Sequence, residues 1–256
     1  MATRRMWCKA GLGWMAGLGL ARPAHAKPLR AVGSHFARLF EGAEGQAPRG
    51  LAVDLLGQIF GDGVRCESLP WSRAQLMLEQ GEADILIGPY RTPEREARML
   101  FSARPFYADA MVWYARRGEA SRWTGEFAEL AQMHAAAVRG WAYGRRFEHM
   151  KAAMNQLTWV QSVDAGLQML TRHRIELFAA NDRNCRPALQ RLQLGDAVAR
   201  CSPPLDVLHG HMAFAHGPAG EALAQRYDRT VEQWLRTPAA ADLYRRWGVE
   251  RPATVL

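Results

Sequence analysis

Residues 69–107 read LPWSRAQLMLEQGEADILIGPYRTPEREARMLFSARPFY, and this pattern predicts a helix, a buried strand and a second short helix. Ser72 is placed as the N-cap of the first helix, and Gln75 completes a capping box three residues later. Gly81 suits the end of that helix because glycine adopts positive φ without strain. The short apolar run at residues 83–88 is typical of a strand covered on both faces. The stretch therefore predicts one α/β unit.

The next signals place an arginine just beyond this strand. Thr92 is a suitable N-cap and Pro93 suits the first helical position, so Arg95 falls in the first turn of a new helix. Ligands of open α/β sheets bind beyond the carboxyl ends of the strands. A guanidinium has forked donors that match a carboxylate. We predict that Arg95 binds an anionic group; the alternative is an exposed arginine paired with Glu94 or Glu96.

Four motifs in this order, W-x-R-A, G-x-A-D-I, T-P-E-R and F-S-x-x-P-F-Y, carry a family resemblance. The chain resembles the extracytoplasmic solute-binding proteins of the amino-acid-binding type, solute-binding family 3. The resemblance covers most of the chain beyond residue 27 and is strongest in residues 50–116. It implies an α/β fold of the two-lobed periplasmic-binding-protein type II class. Each lobe is then a sheet flanked by helices, and two crossover strands join the lobes.

The remaining pattern fits this organisation. Strands at residues 29–33 and 64–69 and a helix at 51–60 complete a βαβαβ unit, which implies a parallel sheet. A second α/β set follows, with strands predicted at 135–138, 157–160, 175–179 and 198–201 and helices at 125–133, 164–172 and 184–192. The predicted organisation is a signal peptide at 1–26, lobe 1 at 27–115, lobe 2 at 116–209 and a return to lobe 1 at 210–256.

The first 26 residues have the features of an export signal. Arg4, Arg5 and Lys9 form a basic region, an apolar run follows, and the segment ends in a small-x-small cleavage site at residues 24–26. The sequence TRRMWCK resembles the twin-arginine export signal. An ordinary secretory signal with a chance pair of arginines is the alternative. Either route predicts a periplasmic protein.

Charge argues against a nucleic-acid partner. The 256-residue chain has 33 basic and 25 acidic residues, a net charge of +8. The predicted signal holds four of the basic residues and none of the acidic ones, so the remaining 230 residues carry only +4. The excess is small and scattered, as on solvated helix faces. We expect a monomer that binds a small solute and no nucleic acid.

Three cysteines follow the predicted signal, and the chain has no pattern typical of a metal or catalytic site. An odd number of cysteines in an oxidising compartment leaves one thiol over. We predict a disulfide between Cys185 and Cys201, both in the second lobe, with Cys66 reduced.

His209 and His211 lack nearby cysteines or carboxylates at ligand spacing, so we expect no metal and no cofactor. The chain contains no G-x-S-x-G, H-E-x-x-H or phosphate-loop motif, so we expect no enzymatic activity.

The resemblance also assigns ligand contacts. The arginine of the family's T-x-x-R motif holds the ligand's α-carboxylate, and Arg95 matches it. An aspartate of the second lobe receives the α-ammonium in these binders. Asn181 matches that position, with Asp182 one residue on, and which of the two faces the ligand stays open. An amide cannot neutralise an ammonium, so an ordinary α-amino acid is in doubt as the ligand.

Further candidate residues come from the aromatic and glycine-rich segments near the predicted strand ends. Trp71 is either an aromatic wall of the cleft or the partner of Leu76 in a hydrophobic staple. Trp141 and its neighbours precede a predicted helix whose N–H groups suit an anion; their alternative is a turn with packed aromatics. The other candidates are Phe36, Tyr90, Arg91, Tyr143 and Gly144.

The sequence thus predicts a periplasmic solute-binding protein. The resemblance implies that such a protein captures an anionic or zwitterionic, amino-acid-like solute in the cleft between lobes, and we expect it to present the closed form to an ABC-type permease or a sensor. Two alternatives remain. The scaffold also resembles periplasmic dehydratases that act on small cyclic carboxylic acids, and a sensory module that docks a receptor fits the same pattern.

Overall fold

The computed structural model describes residues 27–43 and 45–252, so the predicted signal at 1–26 lies outside the described residues. The strands are β1 (Leu29–Gly33), β2 (Val64–Ser68), β3 (Ile85–Tyr90), β4 (Leu100–Phe101), β5 (Tyr107–Arg116), β6 (Ala135–Val138), β7 (Leu157–Val160), β8 (Leu177–Asn181), β9 (Val198–Arg200) and β10 (Asp206–Phe214). The helices are α1 (Leu51–Phe60), α2 (Trp71–Glu79), α3 (Pro93–Glu96), α4 (Arg145–Met150), α5 (Val163–Thr171), α6 (Asp182–Arg191), α7 (Pro218–Leu235) and α8 (Pro238–Trp247).

The strands form one continuous sheet in the order β2-β1-β3-β10-β5-β8-β6-β7, with β4 beside β10 and β9 beside β5. β1 pairs in parallel with β2 and β3, which confirms the predicted βαβαβ unit. β6 likewise pairs in parallel with β7 and β8. The structure thus has the predicted mixed α/β fold.

Among the described residues, none of the helices has the length and apolar content that crossing a membrane requires.

The two long strands β5 and β10 join two halves of the sheet. We call residues 27–106 and 215–252 the first half, and residues 117–205 the second half. β5 pairs with β10 from Tyr107 to Met111 and with β8 from Met111 to Tyr114, so it belongs to both halves. β10 continues from β5 to β3 and ends beside the first half. The structure thus contains two strands that connect the halves, as the fold class implies.

Successive side chains of β5 point to opposite faces of the sheet and divide the core. Val112 and Tyr114 pack in one hydrophobic cluster, with residues of α5 and α6. Met111 and Trp113 pack in a larger cluster on the other face, which extends through both halves. A third cluster lies beneath α2 in the first half. The alternation is the period-two pattern of a strand that is buried on both faces.

This division explains why the predicted disulfide is wrong in the structure. The three cysteines of the described residues are all free thiols. Cys185 packs in the cluster of Tyr114, whereas Cys201 packs in the cluster of Trp113 on the opposite face. A disulfide needs Cα atoms within about 7 Å and Cβ vectors that converge. Thiols that point to opposite faces of one sheet do not meet this requirement.

One predicted helix cap also needs correction. The N-cap of α2 is Pro70, not Ser72, and Leu76 is 42% exposed, so it forms no staple with Trp71. α5 is capped by the Ser162 hydroxyl, which accepts a hydrogen bond from the Ala165 N–H at 3.2 Å. By contrast, the predicted Thr92 cap of α3 is confirmed. The helix predicted at 125–133 is a short 3-10 turn, Phe127–Gln132.

Candidate functional site

A cavity of about 610 Å³ lies between the two halves, within the size range of small-molecule sites. The first half contributes the segment after β1 and the start of α2, chiefly Ser34, His35, Ala37, Trp71, Ser72 and Gln75. The second half contributes Arg139, Gly140, Trp141, Gln161, Ser162, Asp164, Asn184 and Arg191, with apolar neighbours.

The topology explains why these residues meet. Ser34 follows β1, Arg139 follows β6 and Gln161 follows β7, each directly after the carboxyl end of its strand. Within each half, parallel strands bring such residues to one edge, where ligands bind in open α/β folds. The strands of the two halves run in opposite directions, so Ser34 lines the cavity from one side and Arg139 and Gln161 from the other. The structure therefore places the cavity where the fold class predicts a site.

Three of the lining side chains carry a fixed charge. Asp164 and Arg191 form an ion pair, with the Arg191 Nη2 2.6 Å from the Asp164 Oδ1. Arg139 also lines the cavity, and its guanidinium has no hydrogen-bond or ion-pair partner among the described residues. The ion pair cancels itself, so Arg139 gives the lining a net positive charge. Such a cavity favours an anionic ligand.

Arg95, the leading candidate from the sequence, does not line this cavity. Its Nη1 donates to the Tyr90 carbonyl at 2.9 Å, and its Nη2 donates to the Gly140 carbonyl at 3.1 Å. The guanidinium also lies over the Trp71 ring, 5.5 Å from its centroid. Burial lowers the pKa of Arg95 from its ordinary value. The Arg95 guanidinium is therefore bonded within the protein, and its ligand role stays a prediction.

Tyr90 belongs to a buried polar network between the halves and does not form an aromatic wall. Its hydroxyl donates to the Asp109 Oδ2 at 2.8 Å, and the Asn181 amide lies 3.5 Å from the same hydroxyl. Arg183, in the first turn of α6, donates to the Asp109 Oδ1 through Nε at 2.8 Å. Burial, followed by the charges of Tyr107 and Asp109, raises the pKa of Tyr90 well above its ordinary value. The network thus holds a neutral phenol against an ion pair.

Asn181 and Asp182 are the two candidates for the ammonium contact, and neither offers a free oxygen to the cavity. The Asn181 side chain is fully buried and accepts a hydrogen bond from the Asn184 N–H at 2.8 Å, which makes it the N-cap of α6. Asp182 accepts from the Tyr114 hydroxyl at 2.6 Å and pairs with Arg186 at 2.6 Å. Sequence reasoning did not identify these structural roles.

Of the aromatic candidates, Trp71 and Trp141 line the cavity. Phe36 is buried and meets Trp71 edge-on, with ring centroids 5.9 Å apart, so it supports the wall from behind. Tyr143 is fully buried, and its hydroxyl accepts from the Val138 N–H at 2.6 Å, so it does not line this cavity and its ligand contact stays a prediction.

Two further candidates lie away from the cavity. Gly144 begins α4 with φ of 94°, and an added Cβ would meet the Asp206 carboxylate at 2.0 Å. Arg91 pairs with Glu96 and lies over the Phe101 ring, 5.8 Å from its centroid, on a different surface of the first half. Neither residue lines the cavity, and their ligand contacts stay predictions.

Sequence reasoning missed Arg139, Gln161, Asn184 and Arg191 as lining residues. A signal was available for two of them. Arg139 and Gln161 directly follow strands that the sequence predicts with the correct ends, 135–138 and 157–160. The rule used for Arg95, that ligands bind beyond strand ends, applies equally to them. Among the described residues there is no cluster of three or more side chains able to hold a metal.

Solved structures with the same fold come from proteins of different roles. A histidine kinase sensor domain with similarity to periplasmic binding proteins is 17% identical, covers 89% of this chain and 99% of its own, and has a TM-score of 0.74. A substrate-binding protein of an ABC uptake transporter from Streptococcus pneumoniae, solved with bound histidine, is 15% identical, with coverages of 89% and 95% and a TM-score of 0.72.

A third similar structure is an ancestral amino-acid-binding protein, a precursor of cyclohexadienyl dehydratase. It is 16% identical, covers 86% of this chain and 95% of its own, and has a TM-score of 0.68. A search among curated proteins finds no match. The model of the bacterial extracellular solute-binding proteins, family 3, matches residues 37–250. The chain therefore belongs to family 3 of the bacterial extracellular solute-binding proteins.

Proposed function

We propose that this protein captures a small organic anion in the cavity between its halves and presents it to an ABC-type permease. Arg139 is the observation that carries the anionic class, because this exposed residue lines the cavity and its guanidinium has no partner among the described residues. A carboxylate would supply that partner through a charge-assisted hydrogen bond. Trp71 and Trp141 supply apolar surface for the body of the solute.

Contacts between the halves suggest how the solute is enclosed. The Arg95 guanidinium donates to Gly140 across the cleft, and the Ala37 N–H donates to the Asn184 Oδ1 at 3.0 Å. We infer that the halves close around the solute by a hinge motion in β5 and β10. The lobe boundaries after residues 115 and 209 belong to this proposal. An incoming carboxylate would compete with Gly140 for Arg95.

The proposal places the protein in the periplasm as a monomer, exported through the twin-arginine route. Arg4 and Arg5 support that route. Replacing both with lysine should retain the precursor in the cytoplasm. Mature protein outside the cytoplasm of a strain that lacks this translocase would contradict the route but not the binding function.

A sensory role is the second candidate, and the similarity to a histidine kinase sensor domain over 89% of this chain favours it. Uptake of a labelled ligand by cells with and without this gene separates the two roles. A transport protein predicts that uptake falls in the deletion strain, whereas a sensor predicts unchanged uptake and an altered transcriptional response. Conversion of the ligand by the purified protein would instead favour a dehydratase-like enzyme.

The binding function is tested with a thermal-shift screen of organic acids against the mature protein and its Arg139→Ala variant. A ligand at 100 times its Kd adds about 2.7 kcal/mol to the free energy of unfolding, a shift of roughly 5–10 °C for this chain length. Loss of one charged hydrogen bond should weaken binding about 10- to 100-fold in Arg139→Ala.

Arg91→Ala is the matched control, because Arg91 is an exposed, ion-paired arginine outside the cavity. It should bind like the wild type. Equal affinities of the Arg139→Ala and wild-type proteins would show that this cavity does not select anions.

A further inference from the structure

We propose that the solute is a carboxylic acid without an ammonium group, because the described residues of the cavity offer a free cation and no free carboxylate. This inference rests on the proposed function and specifies its substrate class. The comparison that motivates it is a similar structure solved with bound histidine, an amino acid that carries both charges.

The charged side chains of the lining carry a net positive charge. Asp164 is the lining's one carboxylate among the described residues, and the Arg191 guanidinium binds it at 2.6 Å. An ammonium at this carboxylate would lie beside the Arg191 guanidinium, which already neutralises the charge of Asp164 through Oδ1. Arg139, which has no partner in the described part of the chain, adds a positive charge to the same lining. The cavity therefore attracts the carboxylate of an amino acid and repels its ammonium.

Asp109 is a buried carboxylate on β5, between the halves. Both of its oxygens are already bonded: Oδ1 accepts from Arg183 and Oδ2 accepts from the Tyr90 hydroxyl. The Asp109 and Arg183 side chains are only 2% and 14% exposed. Breaking a buried pair of this kind is strongly unfavourable. Asp109 therefore holds an internal guanidinium in place of an external amine.

The side-chain oxygens at the start of α6 are also bonded within the protein. The Asn181 oxygen caps that helix, and the Asn184 oxygen accepts from the Ala37 N–H. Asp182 is bonded to the Tyr114 hydroxyl and to Arg186. Each of these oxygen acceptors is thus engaged within the protein. An ammonium that enters the cavity loses water without gaining an anionic partner, which is costly.

The experiment uses isothermal titration calorimetry on the mature protein with acids that differ only in the α-amine. The pairs are succinate and L-aspartate, glutarate and L-glutamate, and 3-phenylpropionate and L-phenylalanine. In every pair that binds, the amine-free member should bind at least about tenfold more tightly. Because Arg139 and Arg191 are exposed, this preference should weaken as the ionic strength rises.

A variant should reduce the preference. Arg191→Ala removes the partner of Asp164 and leaves a free carboxylate in the cavity, so the ratio of the two affinities should shift about tenfold towards the amino acid. Arg245→Ala is the matched control. Arg245 is also an exposed helical arginine that pairs with an aspartate, Asp242, at 2.7 Å, but it lies on α8 and does not line the cavity. Its affinity ratio should equal that of the wild type.

The outcomes separate the inference from the proposed function. Amino acids that bind as tightly as their amine-free partners would overturn the inference and leave solute capture standing. An unchanged ratio in Arg191→Ala would also overturn it, because Asp164 would then play no part in selecting the ligand. If no acid or amino acid binds at millimolar concentration, solute capture fails and the inference fails with it.

Discussion

The guanidinium of Arg95 donates to one backbone carbonyl from each half and lies over the indole of Trp71. The T-P-E-R motif correctly predicted its position in the first turn of α3. The motif did not reveal the two carbonyl partners, because Gly140 lies 45 residues further along the chain. Local pattern locates a side chain on its element, whereas its partners depend on how distant segments pack.

Arg95→Ala should therefore lower the stability of the protein even without a ligand. Hydrogen bonds from charged groups contribute about 1.5–3 kcal/mol each, and partial exposure reduces this, so we expect a loss of roughly 1–3 kcal/mol. Urea unfolding of the ligand-free variant measures it. Arg91→Ala, an exposed arginine on the same segment, should change stability by about 0.5 kcal/mol or less. Equal stability of the two variants would show that the contact to Gly140 does not form.

The ends of helices and strands are likewise predictable only where the local sequence determines them. Strands β1, β6 and β7 and helix α1 have the predicted ends, because each is bounded by clear turn or cap signals. β3 runs to Tyr90, two residues beyond the prediction, because Tyr90 pairs with Gly210 of β10. That partner is distant in sequence, so the apolar run alone does not reveal the end of the strand.

Two helical glycines test the packing of helices on the sheet. Gly166 of α5 lies against Phe178 of β8, and an added Cβ would be 2.1 Å from the ring. An added Cβ at Gly57 of α1 would meet nothing within 4 Å. Gly166→Ala should destabilise the protein by about 1–3 kcal/mol through overpacking. Gly57→Ala should stabilise it by about 0.5–1 kcal/mol through helix propensity. Urea unfolding measures both, and a stabilising Gly166→Ala would contradict the close packing of α5 on β8.

For the whole molecule, stability should depend on pH through His211 of β10. Burial lowers the pKa of His211 to about 4, with smaller contributions from a bond to Ser102, which raises it, and from Arg91 and His209, which lower it; Glu96 raises it slightly. Between about pH 6.5 and pH 4 the unfolded chain binds a proton that the folded chain does not. The free energy of unfolding should therefore fall by about 2–3 kcal/mol as the pH drops through this window.

Urea unfolding at pH 7 and pH 4.5 measures this effect in the wild type and in His211→Gln. The variant cannot take up that proton, so its stability should change less over the same interval. An equally steep decline in both proteins would assign the acid sensitivity to other groups.

The disulfide prediction fails because it depends on how the whole molecule packs. Cys185 and Cys201 are close in sequence and both lie in the second half, which favours a disulfide on spacing alone. The direction in which each thiol points depends on the face of the sheet it packs against. The overall α/β class was predictable because periodicity and cap signals report on it directly. The charge pairing inside the cavity was not, because it joins residues of several elements.

Anion binding at Arg139 is tested most directly by a crystal structure of the mature protein with the acid that binds most tightly. We expect the ligand carboxylate within hydrogen-bond distance of the Arg139 guanidinium, and the body of the ligand beside Trp71 and Trp141. We also expect the Asp164–Arg191 and Asp109–Arg183 ion pairs to stay intact. A ligand bound outside this cavity, or one whose amine replaces Arg191 at Asp164, would contradict the proposed binding mode.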